Sequence, residues 1–522
     1  MQDNQLPDNQ MTMDHLSFLA QNRRLLLASA AVVYLLHGAL YVSEAFLPGT
    51  SFPAPLRLGL HTLALVLQTI ITVQSAIGLS AAKQIVVWAS TRSTFIWAAS
   101  ALALTLLALL SGATGAAFGG GACPSWPLCP LSASPLDWIH RLLVGTAFFS
   151  LGGLVLHTWR SHYHRPGLLA AVALAFTLFI GQAVIGAARA GDMHFTFMVI
   201  LHALTASAIC AALSVSVGLA ALQTPQPEHR ISWKGWRQRV RDLLRLTKPL
   251  VTGLLLFTTY AGMVAAGHSL PPPVLTLATL AAGALAAGGS AALNQVIDRQ
   301  VDRRMARTAR RPIAANRLAP AEGLAFGLGM LVLSFYLMAR FANPTAAILT
   351  LVGIIYYLWV YSLFLKKRST LNIVIGGGAG AIPPLVGWAA VNGSLAPFAL
   401  GLFVIVFLWT PPHFWSLAFV RHEEYRSAGI PMLPVVVGRT ATARRILGAS
   451  VLLVVFTWAM PLLGGAGLIY ELVAVFLGLL FASLAVRLWR RVDERSAELL
   501  YRYSNIYLAG LFVAIMADAL FG

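Results

Sequence analysis

The sequence contains very few charged residues for its length. Only 11% of its 522 residues are Asp, Glu, Lys or Arg, while 58% are hydrophobic; soluble domains have about 25% charged residues. This scarcity excludes an ordinary water-soluble enzyme. Acidic residues are scarcest, with 18 Asp and Glu against 37 Lys and Arg, a formal net charge of +19. Nucleic-acid binding needs such cations on a water-soluble surface, but here they lie between apolar segments, so we expect a lipid bilayer around the chain and no nucleic-acid partner.

Long apolar stretches recur along the whole chain, each able to cross the ~30 Å hydrocarbon core as a helix. We predict an all-α polytopic membrane protein with about fifteen spans. Six lie in an N-terminal region (1–223) and nine in a C-terminal region (249–522), with a basic linker (224–248) between them. The predicted spans are 25–47, 57–79, 95–117, 137–158, 168–188, 196–222, 249–267, 273–293, 320–340, 345–364, 371–391, 396–418, 446–464, 468–486 and 501–520.

The distribution of the cations predicts how the chain is oriented. If the N-terminus is cytoplasmic, 33 of the 37 Lys and Arg residues fall in inner segments, as the positive-inside rule requires. Fifteen spans then place the C-terminus outside a cell (inner) membrane. The linker alternates Trp, Leu and Arg like a helix that lies on an anionic leaflet, although a solvated basic linker fits its composition equally well.

The loop after the second C-terminal span carries a cluster of oxygen ligands. Asn294, Asp298 and Asp302 are spaced four residues apart, which places them on one face of a helix. Carboxylates held in this way suit Mg²⁺, which prefers one or two of them plus phosphate oxygens. Arginines that follow in the loop are suited to bind the rest of a diphosphate. The alternative is that the Asp residues only offset the neighbouring positive charge.

Several motifs resemble those of known families. The N-x3-D-x3-D motif, followed by M-x-R-T-x-x-R-P, resembles the first acidic motif of the UbiA superfamily of intramembrane prenyltransferases. The runs TPPHFW (410–415) and AGIPMLPV (428–435) further resemble protohaem IX farnesyltransferases, also called haem O synthases, and this resemblance covers about 245–520. It implies a nine-helix UbiA-type domain in which the C2 vinyl group of protohaem IX (haem B) receives a farnesyl group from farnesyl diphosphate and becomes a hydroxyethylfarnesyl group.

The resemblance also implies roles for individual residues. Asn294, Asp298 and Asp302 would be catalytic and would bind Mg²⁺ and diphosphate, with Glu424 serving a second metal-binding segment. The family has Asp where this chain has Glu424, so a carboxylate remains there but lies one methylene further out. The implied substrate-binding residues are Arg307, Arg311, Lys367, Arg368, His413 and Tyr425. His413 would contact haem iron or a propionate, or else play a structural role.

The N-terminal region carries histidines inside its spans. His140 and His202 lie at similar depth in two different spans, an arrangement that suits a bis-histidine haem; hydrogen bonding between helices is the alternative. His37 and His61 could form another such pair. Cys123 and Cys129 share a loop on the outer side, where a disulfide can persist, and free thiols are the alternative. Their spacing does not match the usual zinc patterns.

Residues 95–222 resemble one four-helix half of a haem A synthase. The resemblance rests on C-P-S-W-P-L-C, on the run 137–141 that includes His140, on the run 181–186, and on His202. The family has Glu three residues before the first His, where this chain has Asp137. The resemblance implies that His140 and His202 hold haem and that Cys123 and Cys129 are paired. Hydroxylase activity does not follow, because a second half is missing. A haem-holding module is implied instead, with a haem A synthase or an oxidase assembly factor as a possible partner.

Two other functions fit parts of the sequence. The first is a prenyltransferase with another aromatic acceptor, such as a quinone or chlorin, although the haem-specific motifs argue against it. The second is a haem-binding or relay scaffold without catalysis. The acidic motif beside a run of arginines favours the enzyme.

Overall fold

The computed structural model describes residues 92–117, 134–190, 196–221, 233–366 and 368–522, together with 28–29, 32, 60, 63–64 and 66–75. Within these residues the regular structure is helical, and no β-strand occurs. Thirteen of the described helices are long and apolar enough to cross a membrane. They correspond to thirteen of the predicted spans; the other two, 25–47 and 57–79, lie mostly outside the described residues. The predicted fold class is confirmed.

The chain divides into two compact units. The first comprises Met1–Trp236 and Ala319–Val332, and the second comprises Arg237–Leu318 and Leu333–Gly522. The division after Trp236 lies inside the predicted linker. Residues 319–332 belong to the first unit, although the sequence analysis assigned the whole span 320–340 to the C-terminal region.

The first unit contains a four-helix bundle. Its helices are α1 (Arg92–Ala117), α2 (Pro135–His162), α3 (Pro166–Ala190) and α4 (Thr196–Ala220). Helices α1 and α3 each pack against both α2 and α4. The core includes the fully buried side chains of Leu151, Leu154, Val172 and Leu213. Because lipid tails are as apolar as these side chains, close packing rather than removal from water holds such helices together.

The second unit begins within the amphipathic helix α5 (Trp233–Leu246). The helices that follow are α6 (Pro249–Gly267), α7 (Pro273–Ile297), α8 (Pro320–Phe341), α9 (Pro344–Ile355), α10 (Asn372–Asn392), α11 (Pro397–Val420), α12 (Arg439–Ala459), α13 (Leu468–Arg491) and α14 (Glu494–Phe521). Helix α9 continues as a π-helix over Tyr356–Leu365. Short helices at Arg299–Asp302, His422–Ser427 and Leu433–Val437 lie between the spans.

Helix α10 is central to the second unit and packs against α6, α9 and α11. It approaches α6 so closely that a Cβ added to Gly387 would lie 1.9 Å from the carbonyl oxygen of Thr259. In the same way, a Cβ added to Gly262 would lie 2.3 Å from the carbonyl oxygen of Pro384. Only glycine permits such an approach, as is common between membrane helices. The C-terminal ends of α7, of the π-helix and of α11 carry the predicted site residues.

Candidate active site

The first acidic motif forms a buried, hydrogen-bonded ladder at the end of α7. Asp298 is the C-cap of α7 and keeps the helical bond from its N–H to the Asn294 carbonyl, 2.9 Å. The N–H of Asp302 likewise donates to the Asp298 carbonyl at 2.9 Å. Asn294 Nδ2 donates to Asp298 Oδ2 at 2.8 Å. The three side chains are 2%, 0% and 3% exposed, so these are not solvated residues that only offset surface charge.

Each of the two aspartates is paired with a cation. Lys366 Nζ forms an ion pair with Asp298 Oδ2, and Arg311 Nη1 donates to both carboxylate oxygens of Asp302, at 2.8 and 2.9 Å. Burial alone would lower the pKa of the Lys366 ammonium, but Tyr361 and the Asp298 carboxylate outweigh this effect and raise it. A buried charge is costly unless it is paired, so each ion pair offsets part of the cost of burying a carboxylate here.

The π-helix after α9 brings further groups to this ladder. A π-helix has an i→i+5 hydrogen-bond pattern, which often occurs at functional sites; here Lys366 N–H donates to the Tyr361 carbonyl at 2.9 Å. Ser362 accepts a hydrogen bond from Asn294 Nδ2 at 3.1 Å. The π-helix therefore positions both Ser362 and Lys366 against the acidic motif.

Lys248, like Lys366, is a cation near the acidic motif that the sequence analysis did not predict. It precedes α6 with a left-handed backbone, φ 48°, and its Nζ donates to Asn294 Oδ1 at 3.3 Å. Loss of hydration, together with the positive charges of Arg311 and Lys366, lowers the pKa of Lys248 from 10.5 to about 7. Its charge is therefore sensitive to any anion that binds nearby.

The second acidic segment packs against the first loop. Tyr425 belongs to a buried cluster with Met305, Ile373 and Met432, so the two loops meet. Burial raises the pKa of Tyr425, although nearby Arg307 acts in the opposite direction. Glu424 accepts a hydrogen bond from Arg421 Nη1 at 2.8 Å through Oε1, while its buried Oε2 has no hydrogen-bond partner.

Among the described residues, Arg307 and Arg368 form no hydrogen bond or ion pair with the ladder. Arg307 is exposed. Arg368 is also exposed, and its guanidinium lies 6.0 Å from the centroid of the Phe364 ring. Lys367 lies outside the described residues. The cation that the structure places on Asp298 is the neighbouring Lys366.

His413 belongs to α11 and contacts α14. It stacks on Trp409 with 4.1 Å between ring centroids, and its Nδ1 lies 2.7 Å from Ser504 Oγ. Because the single Ser504 hydroxyl proton is donated to the Tyr501 carbonyl at 2.6 Å, Nδ1 must be the donor to Ser504. Nε2 then carries the lone pair. The residue links two helices and keeps a nitrogen that is able to accept a hydrogen bond or bind a metal.

The site offers two carboxylate oxygens without hydrogen-bond partners, which are atoms of the type that Mg²⁺ binds. Asp298 Oδ1 is buried without a hydrogen-bond partner, as is Glu424 Oε2. Within the described residues, no three His, Cys, Asp or Glu side chains converge as a complete protein-only metal site. Mg²⁺ rarely requires one, since waters and substrate phosphates usually complete its coordination.

Comparisons with known proteins identify the family of the chain. The UbiA prenyltransferase family matches residues 255–508. A protohaem IX farnesyltransferase from Roseiflexus castenholzii is 39% identical over 456 residues, which cover 82% of this chain and 85% of the relative. Another from Gloeobacter violaceus is 48% identical over 283 residues, covering 54% of this chain and 93% of the relative. The chain belongs to the UbiA prenyltransferase family. It is therefore a membrane transferase.

Solved structures of UbiA proteins are more distant. A digeranylgeranylglyceryl phosphate synthase is 17% identical with a TM-score of 0.47, covering 54% of this chain and 99% of that one. A UbiA homologue from Archaeoglobus fulgidus bound to DMAPP and Mg²⁺ is 18% identical with a TM-score of 0.42, covering 52% and 99%.

The N-terminal region of this UbiA prenyltransferase has a relative too. Residues 249–522 make up little more than half of the chain, so the alignment that covers 82% of it with the Roseiflexus protein must include much of the N-terminal region. The Gloeobacter protein matches only about the length of the C-terminal region.

The predicted haem ligands of the N-terminal region each pack against a glycine of a neighbouring helix. A Cβ on Gly112 of α1 would lie 2.9 Å from His140 Cε1, and one on Gly186 of α3 would lie 3.5 Å from His202 Cε1. His140 Nδ1 lies 3.0 Å from the Ala108 carbonyl. His202 Nε2 lies 3.2 Å from Gln182 Nε2. Cys123, Cys129, His37 and His61 lie outside the described residues.

Proposed function

We propose that this UbiA prenyltransferase is a haem O synthase, which transfers the farnesyl group of farnesyl diphosphate to the C2 vinyl group of protohaem IX. The observation that carries the proposal is the 39–48% identity to proteins named protohaem IX farnesyltransferase. This chain matches one of them over 93% of that protein's length. The buried acidic ladder with its three cations supplies the charge pattern that a prenyl diphosphate requires.

The residues of the ladder would act on the leaving group. Arg311, Lys366 and Lys248 already lie against the acidic motif, and a bound diphosphate would attract these cations toward its oxygens. Mg²⁺, held by Asp298, Asp302 and Glu424 together with the diphosphate, would neutralise the charge that develops on the departing phosphate oxygens.

Farnesyl transfer breaks one carbon–oxygen bond and forms one carbon–carbon bond and one new carbon–oxygen bond. The C1–O bond of farnesyl diphosphate breaks, and its electron pair leaves with diphosphate. The electron-rich vinyl group of protohaem attacks C1, which leaves a cation on the carbon next to the porphyrin ring. Water adds to that carbon and releases one proton. The product carries a hydroxyethylfarnesyl group.

A direct assay tests this proposal. The purified chain, in bilayers with Mg²⁺, would be incubated with farnesyl diphosphate and either protohaem IX or 4-hydroxybenzoate, and the products identified by mass. We expect only protohaem to be farnesylated. Farnesylation of 4-hydroxybenzoate alone would favour the prenyltransferase with another acceptor, and no product from either acceptor would favour a haem scaffold.

A bound haem in the N-terminal region is a second proposal, supported by the hydrogen bond of His140. The Ala108 carbonyl only accepts, so His140 Nδ1 must carry the proton and Nε2 the lone pair, as is usual for metal-binding histidines. Gln182 would have to move from His202 for that ring to bind iron. We expect a six-coordinate haem spectrum in the purified chain that is lost in His140→Ala while prenyl transfer persists. Persistence of the spectrum would contradict this assignment.

We also propose an orientation and a partner for the chain. We place the chain in the cell (inner) membrane, with the acidic loops cytoplasmic and the C-terminus outside. Labelling of single introduced cysteines from each side of sealed vesicles tests the orientation. A haem A synthase or an oxidase assembly factor would be the partner that receives the product.

A further inference from the structure

A cavity of about 320 Å³ in the second unit is lined almost entirely by cations. It lies where α5, the start of α6, the end of α7 and the basic loop after α7 come together. No acidic residue is among those that line it. The lining residues are Arg245, Lys248, Gln295, Arg307, Arg310, Arg311, Pro312 and Arg317.

A buried carboxylate behind the cavity fixes part of its wall. Asp242 of α5 is 1% exposed and accepts hydrogen bonds from Arg317 Nε at 3.1 Å and Nη2 at 3.2 Å. Arg245 Nη1 lies 3.4 Å from the same carboxylate. Burial would raise the pKa of Asp242, but hydrogen bonds from Arg317 and Gln238 outweigh it and lower the pKa. One carboxylate thus holds two arginines in place and leaves the wall positively charged.

Another arginine of the wall is available to a ligand. The side chain of Arg310 has no hydrogen-bond or ion-pair partner in the part of the chain that the structure describes. Lys248 and Arg311 add charge from the side of the acidic ladder. A cavity with this excess of positive charge is suited to a phosphate group.

The cavity lies beside the ends of two candidate membrane spans. Lys248 directly precedes the span Pro249–Gly267, and Gln295 lies two residues before the end of the span Pro273–Ile297. Leu250, in the first turn of α6, is 94% exposed, and Leu244, beside Arg245 on α5, is 58% exposed. Apolar surface next to the cations suits acyl chains and offers nothing to a free anion.

Gln295 indicates a headgroup that donates a hydrogen bond. Its Nε2 donates to the Leu246 carbonyl at 2.9 Å, while its buried Oε1 has no partner. A phosphate oxygen cannot fill that need, because it only accepts. An alcohol hydroxyl on the headgroup can.

We propose that this cavity binds the phosphate of an anionic phospholipid with a hydroxylated headgroup, of the phosphatidylglycerol class. Basic pockets on the cytoplasmic side of membrane proteins commonly bind anionic headgroups. The phosphate contacts Arg245, Arg310 and Arg317, and the headgroup hydroxyl donates to Gln295. The site shares Lys248, Arg307 and Arg311 with the candidate active site, and its lining excludes Asp298 and Asp302.

The test measures lipid association with the full chain in the absence of substrates. The protein is placed in phosphatidylcholine vesicles that contain spin-labelled phosphatidylglycerol or spin-labelled phosphatidylcholine, and the motionally restricted fraction of each label is recorded. The wild type should restrict phosphatidylglycerol preferentially. Each of Arg245→Gln and Arg310→Gln should weaken that preference by about fivefold. Arg241→Gln is the matched control, because Arg241 is an exposed arginine of the same helix that does not line the cavity.

Three results would overturn the proposal. The first is the absence of any preference in the wild type. The second is an equal loss in the Arg241→Gln control, which would mean that general surface charge is responsible. The third is saturable binding of inorganic diphosphate that Arg245→Gln and Arg310→Gln weaken while lipid preference is unchanged, which would make the cavity a site for a soluble anion. None of these measurements depends on prenyl transfer, so the proposed function is tested separately.

Discussion

At the scale of the residue, the ion pair between Asp298 and Lys366 is where stability and function meet. The carboxylate is fully buried, and the ammonium is 17% exposed. A buried pair of this kind contributes little net stability by itself, but removing one partner leaves a charge that nothing neutralises. A bound diphosphate would compete with the Asp298 carboxylate for the Lys366 ammonium. Substitutions here therefore affect folding as well as reactivity, and the two effects must be measured separately.

Asp298→Asn should abolish farnesyl transfer. The substitution removes the buried oxygen best placed for Mg²⁺ and leaves Lys366 without its counter-charge, so we expect turnover to fall by at least about a hundredfold and the free energy of unfolding by about 3–5 kcal/mol. Product mass and the melting temperature in detergent measure the two effects. The double variant Asp298→Asn/Lys366→Met removes both charges and should recover much of the melting temperature but none of the turnover. A folded Asp298→Asn variant with normal turnover would contradict the role of Asp298.

Lys248 should make the binding of farnesyl diphosphate dependent on pH. Its pKa is about 7 in the free protein, and only the protonated form attracts the diphosphate. Affinity should therefore fall as pH rises above about 7, by up to about tenfold per unit. The free energy of unfolding should change in the opposite sense, rising between pH 7 and 10.5, because over that interval the unfolded chain holds the proton that the folded chain has released.

Calorimetric titration with farnesyl diphosphate, without an acceptor, measures this effect. Lys248→Arg is the control, since arginine keeps its charge throughout and leaves only the titration of the diphosphate itself. Identical pH profiles in the wild type and Lys248→Arg would exclude Lys248 from the binding of diphosphate.

The residues of the acidic ladder could be read from their spacing, but of their three cations only Arg311 was predicted. Backbone hydrogen bonds link Asn294 to Asp298 and Asp298 to Asp302, as the spacing predicts, although α7 ends at Ile297 and Asp302 belongs to a separate short helix. The sequence analysis selected Lys367 and Arg368 from a run of three basic residues, whereas the structure places Lys366 on Asp298. Lys366 is the first residue after the π-helix, which ends at Leu365, and hydropathy does not indicate where such a helix ends. Lys248 was missed because its position depends on a left-handed backbone that no local pattern in the sequence indicates.

At the scale of the element, the prediction was accurate where apolar runs are long and weaker where helices extend into water. The span 249–267 was predicted to the residue. Helices α12 and α14 begin seven residues earlier than predicted, at Arg439 and Glu494. Hydropathy detects only the part of a helix that lies in lipid, and polar first turns such as these continue the helix beyond it. The π-helix over Tyr356–Leu365 likewise has no signature in hydropathy, because its composition is that of any apolar span.

The crossing of α6 and α10 should not tolerate a side chain at Gly387. A Cβ there would lie 1.9 Å from the Thr259 carbonyl oxygen, which is backbone and cannot rotate away. We expect Gly387→Ala to lower the free energy of unfolding by about 1–3 kcal/mol or more, measured as a drop in melting temperature. Gly380→Ala is the control on the same helix, since nothing lies within 4 Å of its added Cβ. That change should be neutral or slightly stabilising, because alanine favours helix; equal losses in both variants would contradict the crossing.

At the scale of the whole molecule, the net charge of +19 has a structural meaning. Several cations of the second unit form two adjacent clusters that we propose as anion sites. One is the acidic ladder with Lys248, Arg311 and Lys366, and the other is the cavity with Arg245, Arg310 and Arg317. The ladder includes carboxylates and suits a diphosphate with Mg²⁺. The cavity is lined by no carboxylate and suits a phosphate group without Mg²⁺.

The fragment 233–522 should retain farnesyl transfer to protohaem without the N-terminal region. It contains every residue of the acidic ladder, and the Gloeobacter relative is matched over 93% of its length by about that much of this chain. Its melting temperature should be lower, because residues 319–332 lose neighbours such as Trp159, whose indole N–H donates to Glu322 at 2.8 Å. The haem product would be identified by mass for the fragment and the full chain in bilayers of the same composition, with Asp298→Asn in the fragment as the control. A folded fragment without product would show that the N-terminal region takes part in farnesyl transfer. If the full chain made an oxidised haem that the fragment did not, the N-terminal region would be a second catalytic module.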